Sequence, residues 1–428
     1  MDVTETRLVT VDGLCCYTAE RAEPLVARRA ARQDVARHGW QVLAILSTLM
    51  GFASISTDLY LPAMPEMGRS LNANAGMVEW TISGYLIGFS LGQLFWGPIS
   101  DRFGRRVSVA LGITIFVIGS AGCALAGTVW AIIGWRIVQA IGACAGVVLA
   151  RAMVRDLYEG ARAAQMLSTL MAVMAIAPLI GPILGGQILV VAGWRAIFWA
   201  LVGIGVLTLA ALTTFPETLP VSDRNREPFG RILANYAELL TNRKLLAYTG
   251  AGAFFYGGMF AYIAGTPFAY ITYHHVQPEY YGLLFGLGIV GIIATNFVNS
   301  RLVPKAGTTR LLKRGTAIAA LAAIVLAVAG RTGWGGLAGL VVPLFVFIGA
   351  TGFIVANSIA GAMADFPGRA GAVSALVGAI QYGSGIISSA LVGFFADGTP
   401  WPMTAVIAVA GIGSFLCARA LRVNPQAL

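Results

Sequence analysis

The chain has 428 residues, of which 57% are hydrophobic and only 11% charged, and its formal net charge is +10. A soluble domain typically carries about 25% charged residues, so this composition argues against a soluble domain and predicts a polytopic membrane protein. The positive charge does not indicate nucleic acid, because Lys and Arg fall in short clusters between apolar stretches, as topology signals do. Five cysteines without paired spacing and three scattered histidines predict neither a disulfide framework nor a metal site.

The chain opens with an arginine-rich segment and continues with apolar stretches. Residues 1–39 carry six arginines and no long apolar run, which argues against a signal peptide and predicts a mobile cytoplasmic arm, unless the start is assigned too far upstream. A helix needs about 20 apolar residues to cross a bilayer. By that length the sequence predicts twelve spans, at 40–62, 77–98, 107–128, 130–151, 165–189, 195–215, 245–272, 279–303, 311–330, 334–363, 371–396 and 401–421.

The basic residues orient these spans. With the N-terminus inside, the outer loops hold only Arg69, Arg195 and Arg331 of the 29 Lys and Arg, and nearly all the others lie in cytoplasmic segments. Cytoplasmic loops of membrane proteins carry such an excess of positive charge. The pattern therefore predicts that both termini are cytoplasmic.

A polar linker divides the chain into two halves. Residues 216–244 separate an N-terminal half, 40–215, from a C-terminal half, 245–422, which a short tail, 423–428, follows. Weak internal repetition supports the division, since "DRFG" in one half corresponds to "PKAG" in the other. We therefore predict an all-α membrane protein with twelve transmembrane helices in two six-helix halves, as in transporters built from repeats.

The first span contains an acid, Asp58, within "STDLYLPAMP". One interpretation is that Asp58 caps or anchors the outer end of a helix that Pro62 ends. The other is that the helix continues, since prolines are tolerated in membrane helices and apolar residues run on to Met64. If the helix reaches Glu66, Asp58 lies about 12 Å below its outer end. A second acid near the outer ends of the spans, Glu79, is interpreted as interfacial.

The segment "GPISDRFGRRVSV", residues 97–109, predicts a tight turn between spans two and three. Gly97 and Gly104 allow close approach and unusual φ values, Asp101 can cap or pair locally, and the arginines lie in the basic cytoplasmic layer (Arg102, Arg105, Arg106). A generic basic turn that only sets topology is the alternative.

The fourth span carries a cation, Arg136. A charge in hydrocarbon costs several kcal/mol, so Arg136 should face a polar cavity and have a partner there. The alternative is an arginine that extends to the outer interface, since Arg136 lies about 9 Å from Trp130 along the helix. Asp58 and Arg136 have similar depth and opposite sign, and their spans can face one cavity. An aspartate in such a place changes its proton affinity with conformation, which a proton carrier requires.

The fifth span contains "APLIGPILGG", residues 177–186. Prolines remove backbone hydrogen bonds and kink a helix, and glycines let a neighbouring helix approach closely. The sequence therefore predicts a hinge or, alternatively, an ordinary packing kink at Pro178, Gly181, Pro182, Gly185 and Gly186.

These motifs resemble those of a known family. The 97–109 loop is similar to the signature loop of the major facilitator superfamily, with Ile99 in the usual Leu position. "RIVQAIG" resembles its fourth-span motif, with Ala140 in place of Gly, and the fifth-span run resembles its antiporter motif, with Ala177 in place of Gly. Together with "PETLP", "GTPFAYITYHHVQPEYYG" and "NSRLV", they resemble the bicyclomycin-resistance branch of the drug:proton antiporters, over residues 40–422.

The resemblance implies roles for these residues. The loop acid and arginines would engage the cytoplasmic end of span four, where Asp156 lies, in a gate that latches the outward-open state. The fifth-span motif implies export. Asp58 and Arg136 fall on the positions of the family's first-span acid and fourth-span arginine, which implies proton coupling that draws on the proton gradient and needs no cofactor.

A polyspecific drug cavity is apolar and aromatic with few polar anchors. Its candidates here are Tyr60, Tyr85, Phe254, Tyr256, Phe260, Tyr262, Asn357, Gln381 and Tyr382. The leading hypothesis is a monomeric, proton-coupled exporter of small drugs such as bicyclomycin or chloramphenicol in a bacterial inner membrane. The alternative is a metabolite exporter or, with less support, an importer. A membrane-embedded enzyme lacks support, since no nucleophile–base set or acid cluster is visible.

Overall fold

The computed structural model describes residues 39–158, 160–224, 235–366 and 369–421, and within these ranges the regular structure is helical. Most of the predicted arm, part of the predicted linker and the tail lie outside the described residues. The first half contains α1 (Gly39–Asp58), α2 (Met64–Ser70), α3 (Ala75–Phe103), α4 (Arg105–Leu125), α5 (Val129–Leu157), α6 (Gly160–Ala192) and α7 (Trp194–Leu212). The second half contains α8 (Arg243–Pro267), α9 (Pro278–Ala306), α10 (Thr308–Thr332), α11 (Gly336–Gly349), α12 (Thr351–Met363), α13 (Ala370–Phe394) and α14 (Trp401–Ala420).

The helices correspond to the twelve predicted spans. In the described part of the chain, nine segments are long and apolar enough to cross a membrane, judged by length and composition alone. The remaining three predicted spans coincide with α3, α6 and α8, which have 29, 33 and 25 residues. At 1.5 Å per residue each of these is long enough to cross the hydrocarbon of a bilayer. The predicted twelve-helix fold is confirmed.

The segment that begins with the first predicted span contains two helices. α1 ends at Asp58, a 3₁₀ turn covers Leu61–Ala63, and α2 then runs to Ser70. Pro62 and Pro65 lie in the first positions of these last two segments, where a missing N–H costs no hydrogen bond. The expectation of one helix continuing past Asp58 is therefore wrong. The acid lies where a helix ends and the chain bends into the next one.

Glycines bring α3 and α5 into backbone contact. A Cβ atom at Gly84 would lie 3.0 Å from the carbonyl oxygen of Ile133, and one at Gly88 would overlap that of Ile137. The hydrophobic effect does not drive helices together within lipid, so close packing between small residues contributes to their association. The close contact fixes α3 beside the helix that carries Arg136.

The two halves are in backbone contact at one end of the bundle. We call the end that carries Arg102, Arg105 and Arg106 the basic end, and the other the opposite end. Towards the opposite end, the Ser83 and Ser389 hydroxyls are 2.7 Å apart, and a side chain at Gly76 would overlap the Gly393 carbonyl oxygen. α3 and α13 therefore touch through their backbones, and the halves are closed against each other there.

Candidate functional site

Arg136 lies in the interior of the first half, with its side chain fully buried. Its Nη1 donates to the Ser56 carbonyl oxygen at 2.7 Å and to Gln139 Oε1 at 2.6 Å. The guanidinium carbon lies 4.2 Å from the centre of the Tyr60 ring and 4.3 Å from that of Tyr85. Aromatic faces attract a desolvated guanidinium, by about 2 kcal/mol or more at such sites. The alternative of an arginine reaching the outer interface is wrong for this structure.

A hydrogen-bond network fixes this arginine. Gln139 donates from Nε2 to the Ser120 hydroxyl at 2.8 Å, and the Ser56 and Tyr85 hydroxyls are 2.6 Å apart. These contacts tie together α1, α3, α4 and α5. Within the described residues, however, Nε and Nη2 of Arg136 are buried and have no hydrogen-bond partner. Two donors on a buried cation are therefore available for another acceptor.

Asp58 is the single acid of α1, and only 4% of its surface is exposed. It interacts electrostatically with Arg136, but no ion pair or hydrogen bond joins the two side chains among the described contacts. A direct pair, which the matching depths suggested, is therefore not formed here. The arginine binds the Ser56 carbonyl instead, two residues before the acid.

The glycines of the fifth-span motif pack directly on Asp58. A Cβ atom at Gly181 would lie 3.1 Å from the Asp58 Cβ, and one at Gly185 would overlap the Leu59 carbonyl oxygen. Gly186 faces the second half, since a Cβ atom there would lie 2.9 Å from the Pro278 carbonyl oxygen of α9. The motif therefore contacts Asp58 and Leu59 on one side and α9 of the second half on the other. α6 is helical from Gly160 to Ala192, with Pro178 and Pro182 inside it.

The basic end carries an ion-pair cluster centred on Arg105. Its Nε donates to Asp156 Oδ2 at 2.9 Å, and its Nη1 donates to Asp101 and to the Ser100 hydroxyl. Gly104, at φ +98°, makes the turn that places Arg105 at the start of α4, as only glycine does readily.

The other predicted gate residues contribute differently. Arg106 donates from Nη2 to the Thr213 carbonyl oxygen at 2.8 Å. Arg102 is exposed, and the space around Gly97 is open. All the partners of Arg105 described above lie in the first half, and the cluster is formed while the opposite end is closed. The Arg105–Asp156 pair therefore does not by itself hold the opposite end open, contrary to the expected latch.

A further acid completes this cluster, and motif reasoning did not assign it. Glu217, in "PETLP", accepts hydrogen bonds from four backbone N–H groups, with distances of 2.9–3.2 Å: Arg105, Arg106, Thr218 and Leu219. Two of these donors are the first N–H groups of α4, which lack helical partners and favour negative charge. The segment after α7 is thereby fastened to the turn before α4.

We expect Glu217→Ala to destabilise the protein by about 0.5–2 kcal/mol, as the loss of a helix N-terminal acceptor does. Thermal unfolding in detergent measures this as a lower Tm. The control is Glu238→Gln, which breaks the surface pair between Glu238 and Arg369, a type of pair worth about 0–1 kcal/mol. Equal melting of Glu217→Ala and the control would show that the four hydrogen bonds contribute no stability.

Aromatic side chains connect the halves beside Arg136. The Phe89 ring of α3 lies 4.4 Å from that of Tyr382 on α13, and Tyr382 lies 5.8 Å from Tyr256 and 5.6 Å from Phe260 on α8. Phe89 in turn is 6.1 Å from Tyr85. A continuous aromatic path therefore leads from the arginine into the second half.

The remaining cavity candidates do not form one cluster. Tyr262 stacks on Phe285 at 5.2 Å and interacts electrostatically with Asp58. Asn357 donates to Asn299 Oδ1 at 2.7 Å, and Gln381 is buried with its Nε2 unpartnered among the described residues. The assignment of Phe254 to the cavity is wrong, because it is 45% exposed and lines an apolar groove on the outer surface of the second half.

The fold and these sites define a class: a multi-pass α-helical membrane protein of two halves, with a buried acid and a buried base in the first half. A family model described as the Major Facilitator Superfamily matches residues 46–389. The chain belongs to that superfamily.

Relatives and solved structures agree with this assignment. The chain is 34% identical to the uncharacterized MFS-type transporter YdgK of Bacillus subtilis, covering 86% of this chain and 92% of that protein. It is 32% identical to the bicyclomycin resistance protein homolog of Haemophilus influenzae (84% and 90%) and 31% identical to a chloramphenicol resistance protein of Pseudomonas aeruginosa (84% and 85%). The crystal structure of a bacterial homologue of the human lysosomal transporter Spinster, inward-facing and unoccupied, matches with a TM-score of 0.70 at 16% identity, over 90% of this chain and 98% of that one.

Proposed function

We propose that this protein is a proton-coupled exporter of small drugs. The observation that carries the proposal is the buried acid in the first half. Asp58 is packed against the glycines of α6 and lies near a cation that retains two unused donors. The names of the relatives, which include bicyclomycin and chloramphenicol resistance proteins, support drugs as the transported class.

Asp58 and Arg136 together provide the coupling chemistry. A buried, unpaired carboxylate is unfavourable. In the closed state Asp58 is therefore the neutral acid, with a proton on one carboxyl oxygen. When the proton leaves, the carboxylate needs a cation or water, and the free Nε–H and Nη2–H of Arg136 supply the cation. The protonated and the deprotonated forms of Asp58 therefore favour different arrangements of α1 and α5. This difference couples proton binding to alternating access.

The substrate side of the mechanism uses the aromatic path and neutral amides. Tyr256, Phe260 and Tyr382 offer faces to an apolar molecule, and Gln381 offers a buried donor without a partner among the described residues. Such a lining suits a small, largely uncharged ligand with a few acceptors. An endogenous metabolite of that kind is the alternative ligand.

In the proposed arrangement the basic end faces the cytoplasm, by the positive-inside tendency, and the opposite end faces outward across a bacterial inner membrane. The structure then corresponds to a state closed to the outside. The transporter acts as a monomer, uses the proton gradient without a cofactor, and carries out no catalysis.

The test is drug efflux from a pump-deficient host. Cells that express the protein should resist several drugs of a panel containing bicyclomycin and chloramphenicol, and should accumulate less of each until an uncoupler is added. Cells with empty vector are the control. Equal accumulation of every panel drug with and without the protein would exclude drug export and leave the metabolite alternative.

A further inference from the structure

A second carboxyl is buried away from Asp58 and has no role in the mechanism above. Glu79 lies in the second turn of α3, at the opposite end of the bundle, and is only 3% exposed. Its Oε2 atom is buried and has no hydrogen-bond partner among the described residues. The carboxyl group of Glu79 is therefore enclosed by protein at this end of the bundle.

Glu79 lies where the two halves close. It lines a pocket of about 50 Å³ whose other walls come mainly from the second half: Gly265, Phe268, Thr272, Ala396 and Met403. One turn away, Gly76 is in backbone contact with Gly393. The pocket has room for water beside the carboxyl group. Separation of the halves at this end would expose the carboxyl to solvent.

The other titratable groups of the neighbouring elements do not line this pocket. On α2, Arg69 is paired with Glu66 at 2.9 Å. After α13, Asp397 accepts hydrogen bonds from the backbone N–H and the hydroxyl of Thr399, at 2.9 and 2.7 Å.

Two histidines follow the end of α8 at the same end of the bundle. His275 and Arg69 line an adjoining vestibule of about 730 Å³, which shares Ala75, Phe268 and Thr272 with the Glu79 pocket. Burial and the neighbouring His275 lower the pKa of His274. On α5, Arg136 does not line the Glu79 pocket, and its hydrogen bonds go to Ser56 and Gln139. Among the described residues, no cation is thus available to pair with Glu79 in its pocket.

An unpaired carboxylate in such a pocket is unfavourable, whereas the neutral acid needs no counter-charge. We propose that Glu79 is a second proton-binding site, which holds a proton while the halves are closed at this end and releases it when they separate. On closing, one proton moves from water to a carboxyl oxygen of Glu79, and on opening it returns to the same solution.

This assignment rests on the proposed function in one respect only, the orientation of the protein, which makes the solution at this end the external one. Because the proton returns to the side it came from, Glu79 adds nothing to net proton transport. It makes closure of the external end favourable in acid. Closing binds a proton, so the ratio of closed to open molecules rises as pH falls, by up to about tenfold per pH unit for a single group.

The test measures the separation of the halves at several pH values, without any drug. Spin labels are placed at Val191 and Trp334, two exposed positions on the two halves at the opposite end, in a full-length protein whose native cysteines have been replaced. In the wild-type background we expect the short, closed distance to gain population as pH falls. Glu79→Gln, which mimics the protonated acid, should favour the closed distance and lose the part of the pH response that is due to Glu79.

Matched variants separate Glu79 from other causes. Glu79→Asp retains a carboxyl and should restore the pH response, while Glu66→Gln and His275→Gln should leave it unchanged. Asp58→Asn should also retain it, so a failure of drug export would not count against this site. The proposal is overturned if the background protein shows no pH response, or if Glu79→Gln responds to pH as that background does.

Discussion

Asp58→Asn is expected to abolish uphill export while leaving drug binding intact. Asparagine matches the size of aspartate but carries no exchangeable charge, so the cycle loses its proton. One charge moved across 100 mV supplies about 2.3 kcal/mol, which sustains an about 50-fold gradient of an uncharged drug, since about 1.4 kcal/mol corresponds to a factor of ten. The accumulation ratio should therefore fall by about that factor, to unity.

Proteoliposomes with an imposed proton gradient provide the measurement for Asp58→Asn. Uphill drug movement should disappear, whereas binding of the same drug to the purified protein should persist. The control is Asp365→Asn, which removes an exposed acid paired with Lys244 at 2.9 Å and should transport normally. Uphill transport by Asp58→Asn at the level of the control would take Asp58 out of the coupling role.

The contacts of Arg136 explain why binding should survive this change. Its guanidinium is held by a backbone carbonyl, a glutamine and two tyrosine rings, and none of these contacts needs the Asp58 carboxylate. Removing the acid therefore leaves the aromatic path from Tyr85 to Tyr382 supported. Removing the arginine would instead disturb α1, α3 and α5 together, so Asp58→Asn is the cleaner test of coupling.

The helical architecture could be predicted because it depends on quantities that the sequence displays. Span length follows from the number of consecutive apolar residues, and the division into halves follows from a long polar segment. The turn at Gly104 is visible as a glycine within the charged segment "DRFGRR", and the structure gives that glycine a φ of +98°. Each of these features is local, so no knowledge of neighbouring helices is needed.

Which side chains face lipid and which face the protein interior could not be predicted in the same way. In a membrane helix the lipid-facing and core-facing surfaces are both apolar, so hydrophobic periodicity does not separate them. Phe254 and Phe255 are adjacent and chemically identical, yet one is 45% exposed and the other fully buried. The burial of Glu79 could not be predicted for the same reason, and Glu217 gives no signal because its partners are backbone N–H groups that no side-chain motif reveals.

The second large effect, on both stability and transport, is expected from Gly185→Ala. A methyl group at this position would overlap the Leu59 carbonyl oxygen, so α6 and the chain after Asp58 must move apart. Overpacking of this kind typically costs about 1–3 kcal/mol, measured as a lower Tm in detergent. Transport should fall as well, because the same displacement shifts Gly181 away from the Asp58 side chain.

Gly203→Ala on α7 is the matched control for Gly185→Ala. A Cβ atom there meets nothing within 4 Å, and alanine in a helix interior is favoured over glycine by about 0.5–1 kcal/mol, so this variant should melt no lower than the wild type. If neither variant changed the Tm or transport, α6 would not be in tight contact with the bend that carries Asp58. If only Gly185→Ala loses stability and uphill transport together, the glycine motif acts through its contact with residues 58 and 59, which links the motion of α6 to the proton site.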